Sequence, residues 1–114
     1  MSIKRHQVGP VMSGIVEDGD TVYLQGLTAD DKSGSVAVQT AEVLAKIDKN
    51  LAIAGTDKSK LLSAMIYVSD IGLRPELNEV WNAWIDPANP PTRACVGVQL
   101  EGTTNVEIIV VARK

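Results

Sequence analysis

Hydrophobic positions along the chain gather into short runs and two helical stripes. Residues 13–16 and 21–24 are apolar runs on either side of Glu17-Asp18-Gly19-Asp20. The glycine in that link supplies turn chemistry, so the pair is expected as a hairpin, with a short strand near residues 3–7 ahead of it. Residues 26–34 form a polar loop. From Ser35, an N-cap residue, Ala37, Ala41, Leu44, Ile47 and Leu51 follow a helical period that stops at Gly55. Residues 61–68, LLSAMIYV, are a nearly continuous apolar run of strand length. Residues 70–74 read as a loop, and Pro75 suits a first helical turn. Leu77, Val80, Trp81 and Trp84 then recur at i, i+3, i+4 and i+7, the signature of a second amphipathic helix. Pro90 and Pro91 remove two consecutive backbone donors, so pairing resumes only at Thr92. Residues 92–100 and 105–112 are expected to form a hairpin across Glu101-Gly102-Thr103-Thr104.

The order is strands, helix, strand, helix, two strands, an α+β arrangement. Right-handed crossovers place both helices on one face of a mixed sheet. Yet MIYV and IIVV are apolar at consecutive positions, as in strands covered on both sides. The second face must then be covered from outside the chain, and a closed ring of identical subunits is the economical solution. In the expected hairpin register Leu100 faces Asn105 and Glu107 faces Val98. Arg93 then lies five residues, roughly 17 Å, further along its strand and on the opposite face.

Composition narrows the function. A chain of 114 residues fits one domain spanning 1–114 and buries roughly two thirds of its unfolded surface. One cysteine permits no internal disulfide, and the first residues carry no apolar signal run, so a cytoplasmic setting is expected. No span approaches the roughly 18 apolar residues of a membrane helix. A net charge of −3 without blocks of like charge disfavours nucleic acid and anionic lipid as partners. One histidine and one cysteine cannot close an N/S metal site, and phosphate-loop, nucleophile-elbow and zincin motifs are absent. Neither metal nor cofactor is expected.

Three residues carry candidate chemistry. Arg93, at the mouth of a strand, presents a planar fork suited to a carboxylate, although such an arginine is often just solvated or ion-paired. Cys95, among Ala94, Val96 and Val98, reads as a small hydrophobe forming a pocket wall, with no base nearby to make it a nucleophile. Glu107 is the one charge within Val106 to Val111, where an ionised carboxylate is costly without a partner. His6 reads as solvated. Trp81 and Trp84 share the apolar helix face and read as core.

The final third, NEVWNAWIDPANPPTRACVGVQLEGTTNVEIIVVARK, resembles the Rid family, also called YjgF-like or L-PSP endoribonuclease-like, and within it the YoaB-like subgroup. The likeness extends to VGP at Val8 to Pro10, YLQG ending at Gly26, and the helix of residues 40–54. It implies a chorismate-mutase-like fold and a homotrimer with a central barrel and sites in the clefts between subunits. It also implies hydrolysis of 2-imino acids and their enamine tautomers, such as 2-aminoacrylate, to 2-keto acids and ammonia without a cofactor. By that resemblance Arg93 matches the carboxylate clamp, Cys95 its neighbouring cysteine, and Glu107 the group that positions water. Val11 stands where many such deaminases have a tyrosine, and Gln25 where they have a serine. The alternative is a trimeric, non-catalytic module that holds a small carboxylate or keto acid.

Overall fold

The computed structural model describes residues 2–114. Six strands, β1 (Ile3–Val8), β2 (Ser13–Asp18), β3 (Thr21–Leu24), β4 (Leu61–Val68), β5 (Thr92–Gly97) and β6 (Val106–Arg113), form one mixed sheet. The helices are α1 (Val36–Ile53) and α2 (Arg74–Trp84). Antiparallel pairing of β2 and β3 follows from the short link at Gly19, whose φ of 59° opens the turn between Asp18 and Thr21, and β1 pairs with β2 across a second tight link, where Gly9 N donates to Met12 O at 2.8 Å. Ser35 caps α1 by accepting the Val38 N–H at 3.3 Å. The helix ends before Gly55, at φ 79°. Pro75 lies in the first turn of α2.

Sheet order is β1-β2-β3-β6-β4-β5. Residues 92–100 and 105–112 therefore do not make the expected hairpin. β5 instead lies parallel to β4, completing a β4-α2-β5 crossover unit, and β6 enters between β3 and β4, antiparallel to both. The physical reason lies in the strand types. β4 and β6 are apolar on both faces and suit central positions, whereas β5, entered through two prolines and ended by Gly97, suits an edge. Gly97 also admits a neighbouring segment: a Cβ there would stand 3.2 Å from Ile71 Cβ.

Cross-strand register divides the side chains between two faces. The rows Val110–Ala64–Arg93 and Ile108–Ile66–Cys95 face the helices, and their strand-centre members are buried with Ile15, Val22, Leu44, Ile47, Leu51, Leu77 and Trp81. The opposite rows are Tyr23–Val111–Ser63–Thr92, Ile109–Met65–Ala94 and Glu107–Tyr67–Val96. No element among the described residues covers them, and Tyr23, Met65 and Val96 are 46%, 36% and 40% exposed. The core stripe of α1 is turned from the expected one. Leu44, Ile47 and Leu51 are buried, but Ala41 is exposed and Ala37 half-buried, while Val36, Gln39, Thr40, Val43 and Asn50 face inward. Their polar members are satisfied, so inward placement is tolerated. Thr40 Oγ1 donates to Val36 O at 2.6 Å, Asn50 Oδ1 accepts from Gln7 at 3.1 Å, and the Gln39 amide bridges Gly34 O and Asn105 N.

One carboxylate is built into this framework. Glu17, expected in a turn, lies inside β2 with its side chain 5% exposed, and accepts from Lys114 Nζ and from His6 Nε2, the latter at 2.5 Å. His6 is accordingly a half-buried partner on β1, not the solvated histidine expected. Lys114 foremost, then His6, holds the Glu17 carboxyl below its ordinary range against the opposing effect of burial. The ionised carboxylate thus favours the folded state. That contribution is full above the unfolded value of about 4.3 and is lost as pH falls through the lower folded value. Glu17→Gln should be less stable than the parent by roughly 1–3 kcal/mol near neutral pH. Its thermal midpoint should also fall less on acidification from about pH 6 to about pH 3. Parallel midpoint curves for parent and variant would remove Glu17 from the acid response.

Candidate functional site

The three candidate side chains divide between the faces of the sheet. Arg93 and Cys95 lie two residues apart on the edge strand β5 and point to the helix side. Arg93 is half-buried. Its guanidinium stands 5.4 Å from the centroid of the Trp81 ring, and Nη2 donates to Asn78 Oδ1 at 2.5 Å. Asn78 and Trp81 are three residues apart on α2, so one helical turn presents both to the arginine. Among the described residues no carboxylate pairs with Arg93, and its local partners are an amide oxygen and a ring face. Cys95 is also half-buried and packs against the core.

Glu107 occupies the second position of β6 on the uncovered face, directly across from Tyr67 and one strand further from Val96. Beyond the end of β3 the chain continues beside β6, where Leu27 and Ile108 exchange backbone hydrogen bonds of 3.0 and 3.1 Å. That pairing sets Gly26 against Glu107. A Cβ on Gly26 would stand 2.5 Å from Glu107 Oε2 and 3.3 Å from Ile109 Cγ1, so the missing side chain makes the space the carboxylate fills.

Arg93 and Glu107 do not meet within the chain. The Arg93 row crosses β6 at Val110, three residues from Glu107, and β4 stands between the two strands. Their Cα atoms are therefore roughly 14 Å apart, with the side chains on opposite faces. Val11, 89% exposed, is at the tip of the β1–β2 connection, two to three strand spacings, roughly 10–14 Å, from β6. Gln25 is among the residues lining a polar depression of about 220 Å³ with Gln7, Lys46, Lys49 and Asn50. A depression of about 340 Å³ along β4, β5 and β6 is lined mainly by residues of the uncovered rows, Met65, Thr92, Ala94, Ile109 and Val111 among them, and also by Ala64 and Arg93 of the adjoining row. Among the described residues no cluster of three or more His, Cys, Asp or Glu side chains could hold a metal ion, and no helix is long and apolar enough to cross a membrane.

Sequence reasoning missed Gly26, Asn78 and the second contact of Trp81. A glycine at a strand end and an asparagine bordering an apolar helix stripe carry no distinctive signal alone. Only the pairing of Gly26 beside Glu107, and of α2 over β5, gives them a place in the site.

The family model for Endoribonuclease L-PSP matches residues 6–114. The chain belongs to that family. A RutC family protein of Haemophilus ducreyi is 37% identical over 91 residues, covering 79% of this chain and 78% of the relative. The RutC family protein YoaB of Escherichia coli is 32% identical over 113 residues, covering 98% of both chains. Among solved structures, a member of the YjgF protein family from Neisseria meningitidis superposes with a TM-score of 0.96 at 38% identity, over 100% of this chain and 96% of that one.

The contact between Gly26 and Glu107 is testable without knowing a substrate. The obstructing atom is the end of a flexible side chain, so Gly26→Ala should fold with a loss under about 1 kcal/mol while displacing the Glu107 carboxylate. A crystal structure of the variant with Glu107 unmoved would refute the cradle.

Proposed function

We propose that the protein is a cofactor-independent enamine/imine deaminase. It hydrolyses 2-imino acids of the 2-aminoacrylate type to 2-keto acids and ammonia, in clefts between the subunits of a homotrimer. The observation that carries this reading is Arg93: a half-buried guanidinium with an aromatic face and a neutral acceptor around it, and no carboxylate from the described residues of its own chain. Such a group is prepared for an anionic ligand. The resemblance to the deaminating members of the family points to the same role.

The chemistry needs little machinery. The Arg93 fork takes the substrate carboxylate through two parallel hydrogen bonds, and Cys95 walls the pocket on the same face. Glu107, contributed by the neighbouring subunit, holds a water against the imine carbon and accepts a proton as the oxygen adds. Glu107 passes that proton to nitrogen, then takes the remaining hydroxyl proton of the adduct and delivers it as well, so that the C–N bond breaks, ammonia leaves, and the carbonyl of the keto acid remains. Gly26 leaves room for this carboxylate. By the family resemblance Val11 and Gln25 would border the cleft.

A second reading, a non-catalytic module binding a keto acid, is favoured by Val11, whose exposed aliphatic side chain offers no hydrogen bond to a reacting group. Ribonuclease chemistry is not proposed. The chain carries a net charge of −3, and its single histidine is hydrogen-bonded to Glu17.

Arg93→Ala should lose roughly 2–5 kcal/mol of carboxylate binding, and Arg93→Lys nearly as much, because a point charge replaces the fork. Pyruvate titration and keto-acid release from freshly generated 2-aminoacrylate measure the two functions separately. Binding without accelerated release in the parent protein would select the non-catalytic module, and undiminished binding in Arg93→Ala would eliminate both readings.

Assembly has its own test. Light scattering should give three chains per particle, the number the family resemblance implies, since no element among the described residues covers the rows of the sheet opposite the helices and a ring would bury them. Arg93→Ala and Glu107→Gln chains, each folded, trimeric and nearly inactive alone, are unfolded together and refolded as a mixture. Mixed rings then contain sites with both parent side chains, and a fraction of parental activity should return. A monomer would defeat the assembly, and a mixed trimer without recovered activity would defeat the shared site.

A further inference from the structure

We propose that Asn78 and Trp81 are positioning residues that fix the Arg93 fork through uncharged contacts, leaving its positive charge for a single small carboxylate. The inference rests on the reading of Arg93 as the anion-binding group. It starts from a choice visible in the contacts. An arginine can be immobilised most strongly by a carboxylate, but that partner also neutralises it. Here the acceptor on Nη2 is an amide oxygen at 2.5 Å, which orients the guanidinium while contributing no net charge.

Trp81 supplies the second restraint. The residue is 4% exposed and its ring is tilted by 54° against Trp84, whose centroid is 5.3 Å away, so it cannot swing from under the guanidinium. Trp84 is tied in turn by its Nε1, which donates to Asp48 at 3.0 Å. A buried ring beneath the cation blocks one face and attracts its charge without consuming a donor. One Nη2 hydrogen goes to Asn78, and the remaining N–H groups of the planar fork keep a fixed direction. The arrangement reduces the side-chain entropy lost when a ligand binds.

Asn78→Asp separates positioning from packing. The substitution is almost isosteric and turns the Arg93 contact into an ion pair, so a residue with a purely structural role would tolerate it. The expected result is a thermal midpoint at or above the parent's, together with pyruvate affinity weakened at least about ten-fold, because the ligand and the introduced carboxylate compete for one cation. Asn78→Ala, which removes the acceptor and adds no charge, should weaken pyruvate binding about three-fold or more while shifting activity through KM in preference to kcat. Arg93→Ala serves as the reference for the underlying reading. Pyruvate affinity equal to the parent's in either folded Asn78 variant, with affinity lost in Arg93→Ala, overturns the positioning role and leaves the anion site standing. Affinity retained in Arg93→Ala overturns both.

Discussion

The structure depends on the insertion of β6 between β3 and β4. Without it, the β1-β2-β3 meander and the β4-α2-β5 unit are two separate small sheets, each with an unpaired edge. β6 satisfies backbone groups on both sides at once, and its inward residues Val106, Ile108, Val110 and Ala112 are all buried. Flanking contacts secure it: Leu27 pairs with Ile108 at one end, and Lys114 N donates to Asp20 O at 2.8 Å at the other. The strand that unites the sheet is also among the last segments of the sequence. Long-range pairing of this kind is slow to form, because loop closure must precede any gain from the contacts.

That topology explains which features were visible in the sequence. Both helices, the meander and β4 follow from local periodicity, caps and turn residues, and they form much where expected. Strand partnership is not local. The short link over residues 101–104 made a hairpin attractive, yet β4 already offered β5 a parallel neighbour through α2. The distinguishing signal was present in the two-sided apolar character of β4 and β6, set against the prolines and glycine bounding β5. Buried polar residues were harder still. Gln39, Thr40, Asn50 and Glu17 are inside because specific partners receive them, and most of those partners come from distant segments.

Site residues show the same division. Arg93 stood out as a planar guanidinium at the mouth of a strand, and Glu107 as the one charge in an apolar run. Their separation onto opposite faces was also anticipated, although the expected register was wrong and β4, not a turn, stands between them. Gly26 and Asn78 could not be seen, because their importance is a matter of what lies beside them across the fold.

The separation has a chemical consequence. Placed within reach on one face, Arg93 and Glu107 would form an ion pair, and each would neutralise the property that makes the other useful. A carboxylate ligand would then have to displace Glu107 from the guanidinium before binding. The sheet prevents this by directing one side chain toward α2 and the other toward the uncovered face. Within the chain, Arg93 is given an amide and an indole, and Glu107 the space left by a glycine, so each half keeps its charge in a fixed direction. In the proposed trimer the two halves belong to different subunits, and a ligand with an anionic end and an electrophilic carbon can lie between them. The carboxylate of the ligand then separates the two protein charges, occupying Arg93 while Glu107 is left to act on water.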